Sequence, residues 1–244
     1  MLLLAGIGAG LTGSVAGLAS LISYPVLLAV GLAPVTANVT NTVALVFSST
    51  GSVIGSRPEL VGQRERVRQL LAAGVVGGAV GALLLLVTPA GSFERVVPVL
   101  IAVASVAILA RRRVIDDVVP ETPQRVGPGT VIGVGVVGIY GGYFGAGAGV
   151  MLLALLLLST HDTLPRCNGL KNVVIGVANG IAAVGFALFG PVRWNVVLPL
   201  GCGLLVGARV GPIIVRRSPA GVLRAVIACA GLGLAVKLGF DAYG

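Results

Sequence analysis

Residues 2–56 contain no charged side chain, and only 10% of the whole chain is Asp, Glu, Lys or Arg, against about 25% in a soluble domain. A water-exposed surface of ordinary kind is excluded over that stretch. Histidine occurs once, at His161, and the cysteines (Cys167, Cys202 and Cys229) are isolated from one another, so no soft-metal pathway can be assembled. None of the eight acidic residues lies in the middle of an apolar run, which leaves carboxylate-based proton coupling without a carrier. No phosphate-binding glycine-lysine motif is present, so ATP drive within this chain is not expected. His161 beside Asp162, in a turn expected to be solvated, supplies no convergent nucleophile, base or metal set. The chain is therefore not read as an enzyme, and no cofactor is expected.

What remains is apolar. Hydrophobic residues make up 56% of the chain and the mean hydropathy is +1.05. Apolar runs recur along the whole length, most of them close to the roughly 20 residues that a helix needs to cross a bilayer. The fold class is an all-α polytopic membrane protein. The first run continues past signal-peptide length into more of the same. Glycine, at 38 residues, points to closely packed helices with small-residue contacts. These glycine-rich surfaces suit either a homodimer or packing within one chain. The net charge of +9 comes from arginines in short loops and reads as a topology signal, not as a nucleic-acid surface.

The apolar segments fall at 2–32, 36–56, about 70–88, about 96–110, 130–158, 167–189, 195–215 and 221–240, with the loop Arg57–Gln69 carrying four arginines. The long polar stretch ending near Gly129 divides the chain into a first transmembrane repeat at 1–112, a linker at 113–129 and a second repeat at 130–244. Adding 130 to the residue number takes Asn38 to Asn168, Asn41 to Lys171, Thr42 to Asn172, Gly77 to Gly207 and Gly81 to Gly211, as an internal duplication requires.

The uncharged runs 2–32 and 126–158 are 31 and 33 residues long. As single helices they would span about 45–50 Å, too long for one crossing of a core about 30 Å thick and too short for two. Two half-helices meeting at glycine bends fit better, with Gly17 to Ser20 and Gly145 to Gly149 at the bends and Ser23, Tyr24 and Pro25 at the end of a first half-helix. Long tilted helices are the alternative. With re-entrant first and fifth segments, twelve arginines fall on one side and Arg95, Arg193 and Lys237 on the other. By the positive-inside rule the arginine-rich side is cytoplasmic and both termini lie outside. The repeats are then inverted.

The chain resembles the sulfite exporter TauE/SafE family of bacterial membrane transporters over essentially its whole length. The resemblance rests on GLTGSVAGLASLISYPVLLAVGL and GGYFGAGAGVMLLALLLL, on the polar openings APVTANVTNTVAL and LPRCNGLKNVV, and on GGAVGALL paired with GARVGPII. It implies export or exchange of small sulfur-containing or organic anions, such as sulfite or sulfonates, across the cytoplasmic membrane. A membrane scaffold that moves nothing is the competing class, against which the repeat-matched polar positions argue.

Lys171, one of two lysines, stands in an apolar segment beside the glycine bend, either as the cation of an anion site or snorkelling to the interface. Asn38, Asn41, Thr42, Asn168 and Asn172 offer neutral donors at helical spacing, for substrate or for interhelical hydrogen bonds. Gly17, Ser20, Gly145, Gly147 and Gly149 bring half-helix N–H groups toward an anion, or serve as packing notches. Arg209, within the seventh segment, reads as a gate or as one side of an ion pair. Cys167 reads as a small buried residue.

Overall fold

A computed structural model describes residues 1–89, 92, 126–160, 162–217, 236 and 240. Among these no strand occurs. The elements are α1 (Leu2–Ala16), α2 (Ala19–Ala29), α3 (Pro34–Gly55), α4 (Arg57–Leu60), α5 (Arg64–Val87), α6 (Pro128–Tyr143), α7 (Ala148–Thr160), α8 (Leu164–Phe189) and α9 (Trp194–Arg217). The expected fourth and eighth segments lie outside the described residues (Val236 and Phe240 excepted), as do the linker up to residue 125, His161, Cys229 and the basic residues Arg95, Arg111–Arg113, Arg224 and Lys237.

The long uncharged runs are broken helices. α1 stops because Gly17 adopts a left-handed conformation (φ 80°, ψ 27°) and returns its N–H to the Gly13 carbonyl at 2.6 Å, the αL form of C-cap that only glycine enters without a Cβ penalty. In the second run α6 stops at Tyr143 and α7 starts at Ala148; Gly145 and Gly147 between them both have positive φ. The Tyr140 hydroxyl donates to the Ala146 carbonyl, tying the break to the helix before it. Ser23, Tyr24 and Pro25 do not end a half-helix as expected: they lie inside α2, which runs on to Ala29.

Two sets of helices run side by side. Leu200, Leu204 and Gly211 of α9 meet Gly6, Gly10 and Ser14 of α1 in the same order, and Gly201, Leu205 and Arg209 meet Phe47, Gly51 and Gly55 of α3. α1, α3 and α9 are therefore parallel. In the second set Gly74 and Gly78 of α5 lie against Val174 and Ala178 of α8, while Gly77 and Gly81 lie against Gly138 and Gly142 of α6. Between the sets α3 and α8 are antiparallel, with Val39 near Gly190, Ser49 near Gly176 and Ser56 near Gly169. Four-residue glycine spacing recurs at these contacts because without bulk on that face the backbones close to van der Waals contact. α2 and α7 carry the chain back: Ser20 and Ser23 bond Asn41 in the first half of α3, and Ala148 and Leu155 face Gly141 and Gly133 of α6. The two breaks touch, with Gly17 backbone against Gly149 backbone.

Arg64–Val87, Leu164–Phe189 and Trp194–Ile214 are long and apolar enough to cross a membrane. α3, at 22 residues, is long enough but too polar to join them by composition. It packs between α8 and α9, and Asn38, Thr40, Asn41, Thr42, Ser48 and Ser52 are all buried there.

Two loop expectations change. The loop Arg57–Gln69 is instead α4 and the opening of α5, because its corner packs on α8: Glu59 faces Gly169, and the Gln63 amide donates to the Arg166 carbonyl at 3.1 Å. Asp162 is buried, not solvated. It accepts from Arg66 and from Arg166 Nε, at 3.1–3.2 Å for the latter, and from the Thr163 N–H at 2.9 Å. Two guanidiniums and a backbone donor offset its desolvation.

At Gly17 any side chain meets both a left-handed backbone and the Gly149 main chain, whereas a Cβ on Gly8 would meet nothing within 4 Å. Gly17→Ala is expected to destabilise by at least about 1–2 kcal/mol, and Gly8→Ala to be neutral or slightly stabilising. Thermal unfolding of the two purified variants in one detergent checks this, and equal melting temperatures would contradict it.

Candidate functional site

A cavity opens beside the point where the two breaks meet. It encloses about 420 Å³ of atom-free space, its open mouth included. α3 contributes Leu45, Ser48, Ser49 and Ser52, and α8 contributes Lys171, Asn172, Ile175 and Asn179. Each set recurs at three or four residues, so it occupies one helix face. The first broken helix adds Gly13, Gly17, Ala19 and Ser20; the second adds Gly145 and Gly149. No carboxylate is among the lining residues.

Lys171 is 1% exposed, so it does not snorkel. Its ammonium donates to the carbonyls of Gly13 and Ser14, both at 3.2 Å. These belong to the last turn of α1, where carbonyls lack helical partners and the helix dipole is negative. An ammonium has three donors, and the described residues take two. Ser49 Oγ and Ser52 Oγ bond back to the carbonyls of Leu45 and Ser49 at 3.0 Å, and Asn172 donates to Ser56 Oγ at 2.9 Å. Ser48 and Asn179, each 6% exposed, make no hydrogen bond to another described residue. The same holds for the N–H groups of Ala19 and Ser20, which open α2 at the cavity wall without a capping side chain. Ala19, Ser20, Ser48 and Asn179 all line one small space beside a cation. The arrangement suits an anion.

The cavity brings together Lys171, Asn172, Gly17, Ser20, Gly145 and Gly149. It does not include Asn38, Asn41, Thr42, Asn168 or Gly147. Asn38 donates to the Tyr143 carbonyl and Asn168 to the Ser14 carbonyl, both at 3.0 Å. These two repeat-matched asparagines thus tie the carbonyl ends of α6 and α1, and the Oδ1 of each is buried without a partner among the described residues. Asn41 donates to Ser20 Oγ at 3.1 Å and accepts from Ser23 Oγ at 2.6 Å, one hydrogen bond behind the wall. Thr42 bonds back to the Asn38 carbonyl at 3.0 Å. Gly147 serves the backbone of the second break. Arg209 is exposed on α9, away from the cavity and without an ion pair among the described residues. Cys167 is fully buried against Thr160.

Ser48, Ser49, Ser52 and Asn179 were not anticipated. The signal for the last was available in the same register that paired Asn41 with Lys171, since it also takes Ser49 to Asn179 and Leu45 to Ile175.

The family model described as "Sulfite exporter TauE/SafE" matches residues 2–238. A Sinorhizobium protein described as "Probable membrane transporter protein ORF9" is 28% identical over 94% of this chain and 88% of its own length. The Escherichia coli K12 protein described as "Probable membrane transporter protein YfcA" is 25% identical over 97% of this chain and 87% of its own. A Haemophilus influenzae protein, described as "Probable membrane transporter protein", is 26% identical over 93% and 89%. No solved structure matches. The chain belongs to the sulfite exporter TauE/SafE family of membrane transporters.

A cation on the cavity wall predicts selective labelling. With the three native cysteines replaced by serine, Ser52→Cys and Asn179→Cys are expected to react faster with a small anionic thiosulfonate than with a neutral one of equal size. Thr42→Cys, off the cavity, is expected to label slowest. Mass spectrometry of the labelled protein reads the rates, and no preference for the anion would mean that Lys171 does not set the potential there.

Proposed function

We propose, with family membership as the premise, that this transporter moves a small oxyanion of the sulfite or sulfonate class outward across the cytoplasmic membrane, through the cavity beside Lys171. The observation that carries this reading is a buried ammonium on a cavity wall that holds no carboxylate. Ser20, Ser48, Asn172 and Asn179 offer the anion neutral donors, and the opening N–H groups of α2 add the positive end of a half-helix. Asn38 and Asn168 act one layer out, holding the ends of α6 and α1 in position.

In this reading residues 1–112 and 130–244 are two inverted repeats. Its support is the antiparallel contact of α3 with α8 and the matched bonds of Asn38 and Asn168. The end carrying Arg57, Arg64, Arg66, Arg68 and Arg166 faces the cytoplasm, as the positive-inside rule requires, and the N-terminus faces outward. No coupling ion is invoked. Expelling one negative charge from a negative-inside cell gains about 2.3 kcal/mol per 100 mV, which favours export.

Flux in proteoliposomes under an imposed potential tests the proposal, with sulfite, thiosulfate and methanesulfonate as probes. One of them is expected to move with the potential, and Lys171→Ala to reduce its rate by roughly tenfold to a hundredfold, the range for losing one charge-assisted hydrogen bond, while the protein stays monodisperse. Wild-type flux that survives the substitution would take Lys171 out of the site. An absence of flux for all three would overturn the substrate class.

A further inference from the structure

The cavity is lopsided with respect to the duplication. The repeat register pairs Leu45 with Ile175 and Ser49 with Asn179, and both members of both pairs line it. The same register pairs Asn41 with Lys171 and Thr42 with Asn172, yet here only the later member of each pair lines it. The space thus sits off the centre of the duplication, displaced along α3 toward Ser52 and the arginine-bearing end. On the vacant side Asn41 is held one hydrogen bond from the wall, through Ser20 Oγ.

Resting on the reading of two inverted repeats around one anion site, we propose that Asn41, with Ser20 and Ser23, forms a second, uncharged oxyanion station, used when the transporter opens toward the opposite end. If each repeat adopts the other's conformation, the antiparallel α3 and α8 exchange roles and the cavity moves from Lys171 to Asn41. Leu45, Ile175, Ser49 and Asn179 then stay as the shared floor. Ser20 lines the present cavity and already touches Asn41, so an anion passing it exchanges one hydrogen-bond partner for another without entering bare apolar space. Asn41 Nδ2 and the two serine hydroxyls are all donors. In the present state Ser23 donates to Asn41 and Asn41 donates to Ser20 Oγ, so Asn41 and Ser23 join the second station when an oxyanion competes for these hydrogens.

The two stations differ in charge. A neutral amide holds an oxyanion less tightly than an ammonium does, so capture is tighter from the arginine-bearing face and release easier at the other. This asymmetry sets the apparent KM on each side and leaves the equilibrium direction to the membrane potential.

Inside-out and right-side-out membrane vesicles, given sulfite, thiosulfate or methanesulfonate, separate the two faces. Wild-type KM is expected to be roughly tenfold lower from the arginine-bearing face, the lower end of the range for replacing a charge-assisted hydrogen bond by a neutral one. Asn41→Lys is expected to bring the two KM values within about threefold and to slow the maximal rate, because release now leaves a cation. Asn41→Ser keeps a donor of smaller reach and is expected to raise KM from the arginine-poor face alone, which keeps the test decisive if the lysine variant does not fold. Equal wild-type KM values, or an Asn41→Ser effect that is the same from both faces, would overturn the second station while leaving the Lys171 site standing. No wild-type flux of any probe would overturn both.

Discussion

Backbone groups released by a broken helix in an apolar interior must find partners, because no water is there to serve them. This constraint organises the centre of the protein. Where α1 ends, its last-turn carbonyls would be orphaned; Gly17 caps one from within, and Lys171 and Asn168 reach across from α8 to Gly13 and Ser14. Where α6 ends, Asn38 reaches from α3 to Tyr143, and the Tyr140 hydroxyl closes on Ala146. The carbonyl ends are satisfied by side chains from the neighbouring unbroken helices. The N–H groups that open α2 are not satisfied that way, and their residues, Ala19 and Ser20, line the cavity. The same break therefore makes one end tied down by side chains from neighbouring helices and one end whose first N–H groups have no partner among the described residues.

The breaks can meet because the surrounding helices come so close. Glycine at four-residue spacing on α1, α5, α6 and α9 removes the side-chain layer between parallel neighbours, and the room gained lets Gly17 and Gly149 touch at the middle. α3 carries the opposite character. Its polar residues face inward, between α8 and α9, and give the interior the hydroxyls and amides that an apolar bundle lacks.

Much of this was legible from the residues. Uncharged runs as long as 2–32 and 126–158 have only a few geometric solutions in a bilayer, and glycine clusters mark where they bend. Lys171 stood out as a cation among apolar neighbours. Ser48 and Ser52 did not, because a helical serine bonds back to its own helix as readily as it lines a cavity, and nothing in its sequence context separates the two. Ser49 and Asn179 are repeat partners two helical turns beyond Asn41 and Lys171, and the repeat-matched positions followed in the sequence stopped short of them. Arg57–Gln69 reads as solvated from its four arginines, yet tertiary packing on α8 makes most of it helical. Asp162 reads as a turn residue, and its burial depends in part on Arg66, which lies far away in the sequence.

The pairing of α1 with α9 and of α5 with α6 also bears on how the chain is made. α1 docks in parallel on α9, whose contacting residues lie almost 200 positions later in the sequence, as Gly6 against Leu200 and Gly10 against Leu204 show. Until α9 is synthesised, the glycine face of α1 lacks this partner. Such long-range contacts are formed late and leave incomplete chains exposed to misassembly. A product cut short before α9 would therefore lose the face on which α1 docks as well as the missing segment itself.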